Sequence, residues 1–284
     1  MLTKEYRIPL PMSLEDYRIG QLYMIQKKTK ESHSSKVQIE ILVNEPYENK
    51  EKNEKGQYTH KIYILTDMLP YWIRKVIGLE RVQVDEHAWN CYPYTRTEYN
   101  CSLSKSFSLT IETKYLPDGG ESENVLKMEQ EKLNLCETVL IDIVNHKNDI
   151  RNLKKEEDPT LFISKNNPSK CPLTKNWLTE ILEKTKSMRD DSSLSEEEKA
   201  NKIPIMCAYK LVSVNFSGIW GLQRKIEEYI LEYGIRRTIL HGHLQAWVWQ
   251  DEFHGISLEQ IRKMEKETAT YLQKCNLDEL KDEN

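Results

Sequence analysis

Short runs in which apolar and polar residues alternate fill the first two-thirds of the chain, and longer runs at helical spacing close it. Val37, Ile39 and Ile41 alternate with polar neighbours and predict a strand over 37–43. Further strands are predicted over 6–11, 56–65, 106–115 and 138–144, with extended aromatic-rich sequence over 81–97. A charged hairpin loop fills 48–55, and Pro117, Asp118, Gly119 and Gly120 end the strand before them. Residues 206–216 form the last strand. Ser13 caps a first helix that carries Leu14, Tyr17, Leu22 and Met24, with Asp16 as an imperfect capping partner. The polar stretch 27–35 reads as a loop. A short helix is predicted over 68–76, with Pro70 in its first turn. Residues 146–202 are polar and irregular, broken by a helix near 177–184 and ending in an expected disordered insertion over 190–202. A long helix is predicted over 220–250, with Leu222, Ile226, Tyr229 and Tyr233 on one stripe. Ser257 and Gln260 make a capping box for a final helix over about 257–275. Strands first and long helices last predict an α+β fold with a large, mostly antiparallel sheet.

At 284 residues the chain can form one large sheet-based domain, read over 1–284. Its net charge of −4 lacks the basic field that grips nucleic acid, so no nucleic-acid partner is expected. No stretch approaches the roughly 20 apolar residues of a membrane span. The first residues lack a signal-peptide run and a myristoylation glycine, and no prenylation box ends the chain. Membrane contact is therefore expected to be peripheral and the location cytoplasmic. Cys91, Cys101, Cys136, Cys171, Cys207 and Cys275 show no C-x-x-C spacing, which reads as free thiols in a reducing compartment.

The informative positions are polar residues set in apolar rows. One face of the last strand carries Met206, Ala208, Lys210, Val212, Val214 and Phe216. Lys210 must there find an anion or reach solvent past the strand end. Thr113 extends the apolar row of Phe107, Leu109 and Ile111, as a strand threonine often does. In the final helix Glu265 interrupts the stripe of Leu258, Ile261, Thr268 and Leu272, and a structural salt bridge is the plainer account. Gln57, Thr59 and Lys61 share one strand face, alone more typical of a solvent face. Taken together, these rows suit a deep apolar cavity with a polar, anion-binding end.

Catalytic motifs are missing. The chain has no G-x-S-x-G elbow, phosphate-binding loop, dinucleotide fingerprint or H-E-x-x-H. His241 and His243 are two apart on a predicted helix and point in different directions, so no metal is expected. Asp85, Glu86 and His87 have no nucleophile beside them in sequence.

Several segments, in order along the chain, resemble the phosphatidylinositol transfer protein family. They are Lys4-Glu5-Tyr6-Arg7, Gly20-Gln21-Leu22-Tyr23, Val43-Asn44-Glu45-Pro46-Tyr47, the run from Gly56 through Thr59 and Lys61 to Tyr63, Ala88-Trp89-Asn90 with Tyr92-Pro93-Tyr94, Ile111-Glu112-Thr113, Glu156-Glu157-Asp158-Pro159, the run from Met206 through Lys210 to Val212, and Trp220-Gly221-Leu222-Gln223. The resemblance implies a concave, mostly antiparallel sheet wrapped by helices around one lipid, akin to the helix-grip fold of the steroidogenic lipid-transfer domains. It implies an inositol site at Thr59, Lys61, Asn90 and Glu265 with Glu86 close by, and a phosphate site at Gln21, Thr97, Thr113 and Lys210. It implies a cytoplasmic, monomeric carrier with no cofactor beyond the bound phospholipid. That carrier exchanges phosphatidylinositol for a second lipid, phosphatidylcholine or phosphatidic acid, at a transiently touched membrane.

Departures from the pattern refine the expectation. The family's membrane-entering tryptophan pair is Ile219-Trp220 here, and its Thr-Gly-Arg-Gly loop is replaced over 165–171, which bears on phosphorylation near Ser164. Thr95 stands where short members carry cysteine. With the runs 115–120 and 247–252, this looks closer to the retinal degeneration B type. The final helix is expected to act as a lid. The rivals are a sensor that presents phosphatidylinositol to a kinase and a hydrolase acting on a lipid in the cavity.

Overall fold

The computed structural model describes residues 1–34, 36–66, 71–77, 81–101, 104–146, 150, 153–217 and 221–282. Strand β1 (Leu2–Leu10) leads into helix α1 (Leu14–Ser32), whose cap Ser13 accepts from the Asp16 amide at 3.1 Å. A hairpin of β2 (Val37–Asn49) and β3 (Glu54–Thr66) follows, then helix α2 (Tyr71–Ile77). Strands β4 (Arg81–Cys91), β5 (Tyr94–Cys101) and β6 (Ser104–Leu116) form a meander. Next come α3 (Gln130–Leu135), β7 (Glu137–Leu140), α4 (Trp177–Asp190), α5 (Glu196–Lys202) and β8 (Met206–Phe216). Helices α6 (Gln223–Tyr229), α7 (Arg236–Val248), α8 (Gln250–Phe253) and α9 (Leu258–Asp282) close the chain.

The fold is α+β. Among the described residues one eight-stranded sheet runs in the order β2-β3-β4-β5-β6-β8-β1-β7. Among the described strands only the β1–β7 pair is parallel. β8 lies inside the sheet between β6 and β1, and Met206, Cys207, Ala208 and Tyr209 are all fully buried. Its inner residues Ala208, Val212 and Val214 join Ile8, Leu240, Leu244 and Trp247 in the core, while Cys207 and Tyr209 pack with Val125. Each aliphatic side chain so buried contributes roughly 1.5–3 kcal/mol. Gly56 lets β3 approach β4: a Cβ there would lie 1.9 Å from the Asn90 carbonyl oxygen.

Several expectations shift. Helix α1 runs through Ser32, so most of the stretch over 27–35 is helical. Its lysines are good helix formers, and Gln26 and Thr29 are buried, so polarity there marks an inner face and not a loop. The stretch expected to be disordered holds α5, opened by a capping box between Ser195 and Glu198. α4 extends to Asp190. The strand over 138–144 is only Glu137–Leu140; Ile141 and Ile143 are buried beyond it. The long helix over 220–250 is broken by a π-helical turn at Ile230–Ile235. The wider turn rotates the stripe, so Ile226 is buried while Tyr233 is exposed. Of the short helix over 68–76, Met68 and Pro70 lie outside the described residues. Ser257 and Gln260 do form the reciprocal cap of α9.

Candidate ligand-binding site

Sheet register collects the polar residues on one inner face. Lys61 lies opposite Glu86, Gln57 opposite Asn90, and Thr59 and Thr97 both opposite Ala88. Thr95 lies opposite Thr113, and Thr113 opposite Lys210. Side chains alternate along a strand, so these positions form one continuous row. Helices α1, α7 and α9 stand over it and border a cavity of about 760 Å³. Thr59, Lys61, Glu86, Asn90, Thr97 and Glu265 line it, together with Leu22, Ile25, Ile39 and Ile41.

The Lys61 ammonium sits 3.3 Å from Glu86 Oε1, and both side chains are buried. Tyr63 donates to Glu86 Oε2 at 3.1 Å. Burial alone would lower the lysine pKa, but Glu86 and Tyr63 reverse this and hold it above its ordinary value. This end of the site carries two charges that already compensate each other. Across the cavity, Glu265 on α9 accepts from Arg262 at 2.6 Å and from Asn44 of β2 at 3.2 Å. Gln57 donates to Asn44 Oδ1 at 2.7 Å. The structural salt bridge considered for Glu265 therefore exists, and it stands inside the cavity wall.

Gln21, Thr113 and Lys210 form an adjoining cluster and are not part of the lining of that cavity. Lys210 Nζ donates to Thr113 Oγ1 at 3.2 Å and lies 5.6 Å from the centre of the Tyr115 ring. Lys210 is half-buried, and the protein packed around it lowers its pKa to about 8, with no compensating charge among the described residues. Among the described residues no carboxylate pairs with it. The Tyr115 hydroxyl donates to Gln21 Oε1 at 3.0 Å, which leaves the buried Gln21 Nε2 without a partner among the described residues. Beneath it, Tyr17 bonds His243 Nε2 at 3.0 Å and His243 Nδ1 meets the Ile239 carbonyl at 2.7 Å. A carbonyl only accepts, so Nδ1 carries the proton. Burial, then the charge of Lys210, pushes the His243 pKa down to about 3.

His241 and His243 diverge, since His241 turns to Glu157 at 3.3 Å. Among the described residues no group of three or more His, Cys, Asp or Glu could hold a metal. No helix among them is long and apolar enough to cross a membrane. Ile219 and Trp220, expected at the membrane, lie outside the described residues. Ser164, in the altered loop, is buried and donates to Asp251 at 2.6 Å. Sequence reasoning missed Tyr63, Tyr99, Arg262, Asn44 and Gln245. Tyr63 and Tyr99 share strand parity with Lys61 and Thr97, and Arg262 lies one helical turn before Glu265, so those three left a signal. Asn44 stood in the family-like run 43–47 without being marked as a site residue, and Gln245 left no signal.

A sheet whose inner face is polar at one end and apolar elsewhere, closed by helices, defines a protein built to enclose an amphipathic ligand. The chain belongs to the phosphatidylinositol transfer protein family, whose model matches residues 1–270. It is 43% identical over 273 residues to Membrane-associated phosphatidylinositol transfer protein 2 of Homo sapiens, covering 96% of this chain and 19% of that protein. It is 42% identical over 275 residues to Protein retinal degeneration B of Drosophila melanogaster, covering 96% of this chain and 21% of that protein. The chain thus spans about a fifth of the length of these two relatives. It is 38% identical over 268 residues to Cytoplasmic phosphatidylinositol transfer protein 1 of Drosophila melanogaster, covering 94% of this chain and 88% of that protein.

Proposed function

We propose that the chain is a carrier that encloses one phosphatidylinositol and exchanges it between membranes for a second phospholipid, phosphatidylcholine or phosphatidic acid. The observation that carries this reading is Lys210, a half-buried lysine at the inner sheet face with no carboxylate paired to it among the described residues and a pKa lowered to about 8. A cation so placed calls for an anionic ligand. Thr113 beside it and the unpaired Gln21 Nε2 add donors for a phosphate. Thr97 lies on the same strand face, two residues from Thr95. The inositol ring then meets Thr59, Lys61, Glu86, Asn90 and Glu265, whose donors and acceptors suit a polyol. A site that hydrogen-bonds hydroxyls discriminates against headgroups lacking them, because its buried groups go unpaired.

A two-chain phospholipid holds about 30 methylenes, each worth ~0.8 kcal/mol out of water. Leaving a bilayer unaided therefore costs on the order of 20 kcal/mol. An apolar sleeve removes that cost. In this reading Ile219 and Trp220 touch the bilayer, α9 swings away as a lid, and the headgroup contacts restore the closed form. The carrier works as a cytoplasmic monomer over one domain. The test is the intact native mass of protein purified from a eukaryotic host, with the released lipid identified. One phosphatidylinositol per chain, alone or alongside a second phospholipid, is the expected result. Folded protein that stays lipid-free after incubation with phosphatidylinositol vesicles would overturn the reading.

A further inference from the structure

Facing the sheet-borne polar residues, α7 turns one stripe into the same cavity. Arg237, His241 and Gln245, each four residues apart, all line it. Behind the stripe lies Glu157, from a single 3₁₀ turn at Lys155–Glu157, buried against α7. Gln245 Nε2 donates to Glu157 Oε1 at 2.6 Å, and His241 Nε2 lies 3.3 Å from Glu157 Oε2. Burial raises the Glu157 pKa, but the bonds from Gln245 and His241 outweigh it and hold the carboxyl below its ordinary value. An ionised carboxylate only accepts, so the Gln245 amide must turn its nitrogen to Glu157. That orientation leaves Gln245 Oε1 buried with no hydrogen-bond partner among the described residues, although Gln245 is only 1% exposed. An unpaired buried carbonyl costs about 1–3 kcal/mol, so its persistence asks for a donor.

We propose that Gln245 Oε1 is a second headgroup subsite, an acceptor for a hydroxyl of the lipid's polyol, with Glu157 as its positioning residue. The inference rests on the carrier reading. Acyl chains offer no donor, and a choline headgroup has no N–H or O–H. An inositol ring offers several hydroxyls. Gln245 is then a specificity residue on the helix wall, opposite Thr59, Lys61 and Asn90 on the sheet.

The test titrates the full chain with vesicles of phosphatidylinositol, phosphatidylcholine or phosphatidic acid in turn. The readout is the vesicle lipid needed for half-loading, taken from native mass. Gln245→Met keeps the length and removes the acceptor. It is expected to raise half-loading by phosphatidylinositol about fivefold, the worth of one hydrogen bond, and to leave the choline lipid unmoved. Glu157→Gln replaces an acceptor-only carboxylate with an amide that both donates and accepts, so the Gln245 amide is no longer fixed in one orientation. It is expected to show the same selective loss. Equal losses for every lipid, or a fall in melting temperature with selectivity unchanged, would assign Gln245 a structural role and overturn the proposal. Unchanged half-loading in Gln245→Met would overturn it too, as a buried water then satisfies Oε1. Wild-type protein that loads none of the three lipids would instead refute the carrier reading beneath it.

Discussion

Loading with phosphatidylinositol should weaken steeply above pH 8, and Lys210 should be the reason. In the empty protein its pKa is lowered to about 8 by burial alone. With a phosphodiester against it, the ammonium gains an opposite charge and its pKa rises well above that. Binding therefore takes up a proton wherever the empty lysine is neutral. At pH 7 most molecules already carry it. At pH 9 only about one in ten does, so apparent affinity falls about tenfold from pH 7 to pH 9. The neighbouring groups do not titrate in this window. His243 has its pKa near 3, the Tyr115 hydroxyl is pushed up to about 12, and Tyr17 is held well above its ordinary value, mainly through burial. A phosphodiester has no second ionisation, which makes phosphatidylinositol the right probe. The assay is vesicle loading at pH 7 and pH 9, read by native mass, for wild type, Lys210→Arg and Lys210→Met. The arginine variant keeps its charge at both values and should lose the pH dependence. The methionine variant should bind weakly at both. A wild-type profile flat to pH 9 would refute the assignment, as would an arginine variant that retains the tenfold drop.

The same shift gives the empty protein an opposite trend: a lysine lowered on folding makes it more stable as pH rises from about 8 towards 10.5, where the unfolded chain holds more protons, and thermal melts would show it. Glu265→Ala should abolish phosphatidylinositol transfer while sparing the second lipid, since half-exposed Arg262 can turn to water; equal loss of both ligands would count against an inositol role. Gly56→Ala should destabilise by at least about 1–3 kcal/mol, because its Cβ would meet the Asn90 carbonyl oxygen at 1.9 Å, and a denaturant midpoint unchanged from wild type would contradict the tight β3–β4 approach. Ser195→Ala removes the cap of α5 and should loosen residues 196–202 in hydrogen exchange by about 1 kcal/mol, with loading untouched, as no α5 residue lines the cavity.

Strand positions were legible because a period of two survives in a half-buried sheet. Met206–Phe216 was readable to the residue, although only its second half alternates in burial and its first four residues are all buried. Helix limits were less so. The α1 segment after Lys27 is polar on the face that looks into the cavity, and composition cannot separate a polar interior from a polar surface. The π-helical turn at Ile230–Ile235 inserts no marker beyond Gly234, which is ambiguous in any helix. Parity and helical spacing singled out Lys210, Thr113 and Glu265, because a polar residue in an apolar row is a local anomaly. Asn44 and Glu265 meet across 221 residues, and Gln245 and Glu157 across 88. Nothing within either segment marks such a partner; only the closed fold creates it.

The two polar regions of the inner face differ in how their charge is balanced, and this difference orders the events of binding. Lys61 and Glu86 neutralise each other at 3.3 Å, so this pair is electrically balanced before any ligand arrives. It can offer hydrogen bonds but little net field. Lys210 lacks such a partner and is the group whose environment a phosphate changes most. Charge therefore favours any phospholipid phosphate, while the compensated end sorts headgroups by their hydroxyls. Glu265 links the two tasks to the lid, because it is held by Asn44 of the sheet edge and Arg262 of its own helix. A polyol that bonds Glu265 adds to the hold of α9 on the sheet, beside the bonds of Asn44 to Glu265 and of Asn276 to the Ile39 carbonyl; a headgroup without hydroxyls lacks that addition. On this account the second lipid should leave the cavity faster than phosphatidylinositol, even where the phosphate contacts of the two are the same.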